Sequence, residues 1–175
     1  MRRYFQQPGG QVPTALVALQ RWGMRTAYVG LFGDDEGGRL QRSTLQREGV
    51  DLSAARQRTG LSSHVSVILV DEISGERSIL WHRPEELALQ PDELDPDVIT
   101  AGRVLFTDGE DIDITLQAAR WAKKAGVAVV LDLDLPGRHS DEMLSLSDVV
   151  VVPTTFIDQF AKSGNVRLAV RLISR

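Results

Sequence analysis

Three short runs, Arg103 to Thr107 (RVLFT), Val127 to Leu133 (VAVVLDL) and Asp148 to Val152 (DVVVV), are rich in β-branched residues and separated by segments of helical periodicity. This alternation constrains the fold more than any other feature. Parallel neighbours cannot be joined by a tight turn; they need a crossover of about a dozen residues or more, usually a helix. Helices on the faces of such a sheet bury its strands, which then read as near-continuous apolar runs. The helices expected here are Asp113 to Ala125, with Leu116, Ala119 and Ala122 on one face, and Asp141 to Leu146. Phe156 to Ala161 and Asn165 to Ile173 follow as two more. The expected class is α/β, a mainly parallel, Rossmann-like sheet flanked by helices.

The first part of the chain begins in the same rhythm. Gln11 to Trp22 has Pro13 in its first turn and Ala15, Leu16, Leu19 and Trp22 at helical spacing, with Gly23 as its stop. Thr26 to Phe32 (TAYVGLF) reads as a buried strand. Asp34 and Asp35 place a carboxylate to cap a helix over Glu36 to Glu48, which Gly49 ends. His64 to Val70 (HVSVILV) and Arg77 to His82 (RSILWH) flank a Ser74-Gly75 turn signal and predict a hairpin. Residues 62–84 form this insert within a single α/β domain over 1–175, and Ser53 to Ser63 reads as a loop. The insert is placed to cover the open end of the sheet, where ligands of such folds bind.

Composition narrows the function. Lys and Arg number 20 against 24 Asp and Glu, a net charge of −4. The basic residues are scattered, whereas phosphate-backbone binding needs a basic face, so no nucleic-acid partner is expected. No run reaches the roughly 18 apolar residues of a spanning helix, and no membrane partner is expected. The absence of cysteine excludes disulfides and thiolate chemistry and suits a reducing cytoplasm.

Several motifs are missing: GxxxxGK[ST], GxGxxG and GxSxG do not occur. The three histidines, His64, His82 and His139, lack metal-ligand spacing. Two groups of residues remain. Gly9 and Gly10 precede a helix, where small residues admit a ligand to free backbone N–H groups; a tight turn feeding the helix is the plain alternative. Asp108 and Asp132, with Asp134, sit at strand ends, where carboxylates bind hydroxyls or a hydrated magnesium ion; helix capping or solvated turns are the alternatives. Gly30, Gly33, Gly37 and Gly38 read as strand-to-helix architecture.

The stretch GGQVPTALVALQRWGMRTAYVGLFGDDEGGRLQRSTLQREGVDLS resembles the ribokinase-like (PfkB) carbohydrate kinase family. Gly9-Gly10, Gly23, Gly30 to Asp35, Gly38 and Gly49-Val50-Asp51 match its glycine pair, helix stop, G-x-x-G-D-D-x-x-G and Gly-Val-Asp in order. The hairpin with Ser74-Gly75-Glu76-Arg77 resembles the family's lid. The resemblance implies ATP-dependent phosphorylation of a sugar or nucleoside hydroxyl, with ATP and Mg2+ as cofactors. It implies that Gly9 and Gly10 lie against the sugar hydroxyls; Gln11 and Thr14 beside them, and Asp108 and Asp132 at the strand ends, complete the expected substrate-binding residues. It also implies a homo-oligomer, a dimer formed through the lid or an exposed sheet edge.

The chain departs from the pattern at four places. The family's Asn after the glycine pair falls on Thr14, and its N-x-x-E falls on Thr154 to Ile157 (TTFI). The family's first strand with a sugar-binding Asp, and its G-A-G-D anion hole with the catalytic Asp, have no counterpart in the 175 residues. No catalytic residue, cofactor-binding residue or metal ligand is therefore assigned. The chain alone is expected to be inactive, the alternative being a non-catalytic remnant that binds sugar or forms an oligomer. An unrelated nucleotide-binding α/β domain is disfavoured by the missing phosphate motifs.

Overall fold

Helices and strands follow the expected order in the structure, a computed structural model that describes residues 4–161. The expected helix Asn165 to Ile173 lies outside the described residues. The chain divides into two compact units, Met1–Ala88 and Leu89–Arg175.

In the first unit, helix α1 (Gln11–Arg21) starts at Gly10 and stops where Gly23 takes φ +83. Trp22, expected on its apolar stripe, is the C-cap and is exposed, because the left-handed Gly23 turns the chain before another helical position can bury it. Strand β1 (Leu31–Gly33) leads to α2 (Glu36–Arg47), whose N-cap Asp35 accepts from the Gly38 N–H at 2.8 Å. Gly49, at φ +84, closes α2 as expected of a left-handed stop. Leu16, Phe32, Leu45, Val50 and Leu52 form the core of this unit.

β1 pairs in parallel with β2 (Arg56–Arg58), in register Leu31↔Arg56 to Gly33↔Arg58. The strand expected over Thr26 to Phe32 is regular only at its end. Earlier it makes a bridge, Ala27↔Asp51. The interruption comes from its partner: the Asp51 carboxylate accepts from the Ser53 N–H at 2.8 Å, and this local turn diverts the chain before Arg56 rejoins. β2 itself falls in the segment expected to be loop. The hairpin is present as β3 (Val65–Val70) and β4 (Arg77–His82), antiparallel from Val65↔His82 to Val70↔Arg77.

In the second unit, a 3-10 turn (Pro91–Glu93) and the short helix α3 (Pro96–Thr100) precede β5 (Val104–Thr107). Neither was expected, although Asp95-Pro96 is a recognisable N-cap and first helical residue. Helix α4 (Ile112–Ala125), β6 (Ala128–Asp132), α5 (Ser140–Leu146), β7 (Val149–Val151) and α6 (Thr154–Ala161) follow. β5, β6 and β7 form a parallel sheet in that order. Leu116, Leu131, Leu133, Met143, Leu144 and Phe156 make its core.

Two findings refine the expected sheet. The parallel strands form two separate ladders, one in each unit, rather than a single continuous one. In the β5-β6-β7 sheet Val104, Val149 and Val151 are exposed, whereas Val129 and Leu131, of opposite parity, are fully buried. Strands laid down in sequence order with right-handed crossovers put α4 and α5 on the same face, the one that carries Leu131 into the core with Leu116 and Met143.

Candidate functional site

The two groups of candidate residues lie in different units and are described separately. In the first unit, Gly9 and Gly10 are exposed at the start of α1. Gly10 has φ +98, a conformation that disfavours any side chain, and a β-carbon there would also come within 3.3 Å of Pro13 Cδ. Gly9 is open, with no atom within 4 Å of its would-be β-carbon. The Thr14 N–H closes the first helical bond onto Gly10 O at 3.1 Å. No side chain caps the helix and its first turn carries no acidic residue. Backbone donors therefore face outward with the positive end of the helix dipole behind them, an arrangement suited to hydroxyl oxygens or an anion. Gln11 and Thr14 are the first and fourth residues of α1; Gln11 is half-buried and Thr14 exposed.

The glycines that follow are different. A β-carbon on Gly33 would meet Leu61 O at 2.5 Å and Ser63 N at 2.6 Å. The chain's own backbone occupies the space in which a phosphate would have to sit, and Gly33 and Gly38 are architecture.

In the second unit, Asp108 follows β5 and Asp132 ends β6. The register Thr107↔Leu131 brings the two residues to the same level at the C-terminal edge of adjacent parallel strands. Asp108 is half-buried, and burial pushes its carboxyl above the usual carboxylate range; the nearby Glu110 and Asp111 charges push the same way, partly offset by the Glu110 N–H. That N–H donates to Asp108 Oδ1 at 3.3 Å. Asp132 is half-buried and Asp134 exposed. The edge is stiffened by residues that sequence reasoning missed. Thr107 Oγ1 lies 3.3 Å from the buried Thr115 Oγ1 and accepts from the Gly109 N–H at 3.4 Å. The Asp108-Gly109 dipeptide, a turn signal directly after a strand, was the available clue.

Such an edge can accept hydrogen bonds from hydroxyl groups. It does not fit a nucleoside triphosphate with its metal: the carboxylates repel phosphate, and among the described residues no group of three His, Cys, Asp or Glu could hold a metal ion. His64 and His82 are exposed on or beside the hairpin, with His64 edge-on to Trp81 at 5.9 Å. Thr154 opens α6 and is exposed, while Ile157 is buried in the second unit and has no group with which to meet a cation.

The family model "pfkB family carbohydrate kinase" matches residues 1–163. Probable fructokinase-4 of Arabidopsis thaliana is 29% identical over 140 residues, covering 75% of this chain and 43% of that protein. A fructokinase from Xylella fastidiosa with bound ATP superposes with TM-score 0.81 at 21% identity, over 95% of this chain and 58% of that one. Aminoimidazole riboside kinase from Salmonella enterica, complexed with aminoimidazole riboside and an ATP analogue, gives TM-score 0.79 at 22% identity, over 99% and 61%. The chain thus spans about half the length of the relatives it matches. These are ribokinase-fold kinases, and no helix among the described residues is long and apolar enough to cross a membrane. The chain belongs to the pfkB family of carbohydrate kinases.

Proposed function

We propose that the chain is the acceptor-binding part of an ATP-dependent kinase acting on a sugar or nucleoside hydroxyl, and that it has no kinase activity alone. The observation that carries this reading is the uncapped start of α1, with Gly10 at φ +98 and no acidic residue in the first turn. Gly9, Gly10 and Gln11 would donate backbone N–H groups to hydroxyl oxygens, and Thr14 would add its hydroxyl. In the second unit, taken by itself, Asp108 and Asp132 would accept from hydroxyl O–H groups at the C-terminal edge of β5 and β6. The family match over 1–163 supports a single ribokinase-like domain spanning the chain, with 62–84 as its lid. A cytoplasmic location fits a chain without cysteine.

The described residues supply no phosphate cradle, so ATP and Mg2+ would be bound by groups outside them. Thr14 in place of an amide, and the buried Ile157 in place of a carboxylate, favour a second reading: a remnant that binds sugar or assembles without catalysis. A dimer through the hairpin or through an exposed sheet edge is part of both readings.

Thermal-shift titration with fructose, ribose, adenosine and aminoimidazole riboside tests binding. A ligand at a hundredfold its Kd stabilises the native state by about 2.7 kcal/mol, so the melting temperature should rise for at least one of them. Gly10→Ala should remove the rise. If none shifts the transition, the acceptor-binding reading fails. ATP consumption by the purified chain would refute the claim of inactivity.

A further inference from the structure

The hairpin is apolar on both sides. Opposed residues share a face, so Val67 and Leu80 lie on one side and Ile68 and Ile79 on the other. Every residue of both strands is exposed. Packing therefore does not hold the hairpin in its direction, and an isolated two-stranded ribbon is at best marginal in water. What holds it must lie at its stem.

The entering stem is Ser63, buried at 3% exposure although polar. Its N–H donates to Asp35 Oδ2 at 3.0 Å, and its hydroxyl donates to Asp35 Oδ1 at 2.8 Å while accepting from the Gly33 N–H at 3.1 Å. One position earlier, Asp34 does related work: its carboxylate accepts from the Gly60 N–H at 2.8 Å and its own N–H donates to Leu61 O at 3.2 Å. Backbone 61–63 lies directly on Gly33, where a β-carbon would collide.

An N-cap aspartate needs only the bond from Gly38. Asp35 makes that bond and two more to a residue 28 positions away. Burial alone would raise its carboxyl, yet the bonds from Gly38 and Ser63 hold it below the usual carboxylate range. The surplus bonds join the β1–α2 turn to the hairpin stem and nothing else.

We infer that Asp35, acting through Ser63, is the positioning residue that fixes the direction in which the β3–β4 hairpin leaves the β1–α2 turn. The inference concerns how the hairpin is held and stands whether or not the hairpin serves as a lid. Both oxygens of the carboxylate are in use, so an amide, with one acceptor oxygen, cannot replace it. Removing the Ser63 hydroxyl weakens the link from the other side: it takes away the bond to Asp35 Oδ1 and the acceptor of Gly33 N–H, and leaves the bond from Ser63 N–H to Asp35 Oδ2.

The absence of cysteine makes the test clean. Ile73→Cys at the hairpin turn, 99% exposed, and Gln46→Cys on the outer side of α2 take nitroxide labels in the full chain. The distance between labels, read by pulsed electron resonance, should be a single narrow distribution in the parent. Asp35→Asn and Ser63→Ala should each broaden it at least twofold. Glu48→Gln, which breaks the Arg21–Glu48 ion pair away from the stem, should leave the width unchanged. An unchanged width in the two stem variants overturns the inference, as does equal broadening by Glu48→Gln. If Asp35→Asn lowers the folded fraction, Ser63→Ala decides. A measurement on the parent needs no variant: the amides of Gly33, Gly38 and Ser63 should be protected from hydrogen exchange as strongly as that of Leu45, and rapid exchange there also overturns it.

Discussion

Gly109 and Leu133 touch so closely at the end of the β5-β6-β7 sheet that a β-carbon on Gly109 would lie 2.6 Å from Leu133 Cδ2. Gly109 also has φ +74, which L side chains rarely adopt. Gly109→Ala should therefore combine left-handed strain, about 1 kcal/mol or more, with overpacking of about 1–3 kcal/mol. Urea unfolding should show a loss of that order. A loss of only about 1 kcal/mol would mean that Leu133 moves aside freely and that the left-handed strain alone remains.

Asp108, the neighbour of Gly109, gives a prediction with a sign. Its folded carboxyl titrates above the unfolded value, first through burial and then through Glu110 and Asp111. The folded state therefore prefers the protonated form, and ionising Asp108 weakens folding at neutral pH. The penalty should fade as pH falls through the folded value toward the unfolded one near 4. Asp108→Asn should be more stable than the parent at pH 7, with the difference shrinking toward pH 4. Denaturation midpoints at the two pH values check this. The same variant should weaken sugar binding if the carboxylate accepts from a hydroxyl.

Phe156, fully buried and stacked on Phe160 with ring centres 5.6 Å apart, anchors α6 to the second core. Phe156→Ala should cost about 3–5 kcal/mol. The unfolding midpoint measures it, and a cost under about 1 kcal/mol would show that the site refills.

If the hairpin forms a contact between copies of the chain, charge on its apolar faces should break that contact. Ile68→Lys with Ile79→Lys places two ammonium groups opposite each other on one face. Sedimentation should then show a shift from dimer to monomer with the melting temperature little changed. A monomeric parent at micromolar concentration would dispose of this route to a dimer.

Elements with strong local signals were legible. The hairpin strands begin and end within a residue of their expected bounds because β-branched runs flank a Ser-Gly turn. α2 was legible because Asp35 precedes a helical segment that Gly49 stops. β2 was not, because Arg-Gln-Arg has no apolar pattern and is a strand only by pairing with β1. The candidate residues were legible as types at turn and strand-end positions. Asp108's burial was not, since it depends on what packs around the strand end. Nor was the joining of Asp35 to Ser63, which no local pattern encodes.

The exposed hairpin also bears on the order in which the first unit assembles. Its turn closes locally, with Asp71 and Gly75 joined by a backbone bond of 3.0 Å, and such ribbons form within about 1–10 μs. The β1–β2 ladder must wait for α2 to bridge it, because parallel pairing closes a long loop first. The ribbon, marginal by itself, is therefore sampled with its apolar faces uncovered before its seat on Gly33 forms, and refolding yield should fall as chain concentration rises, because ribbons from different molecules meet during that interval.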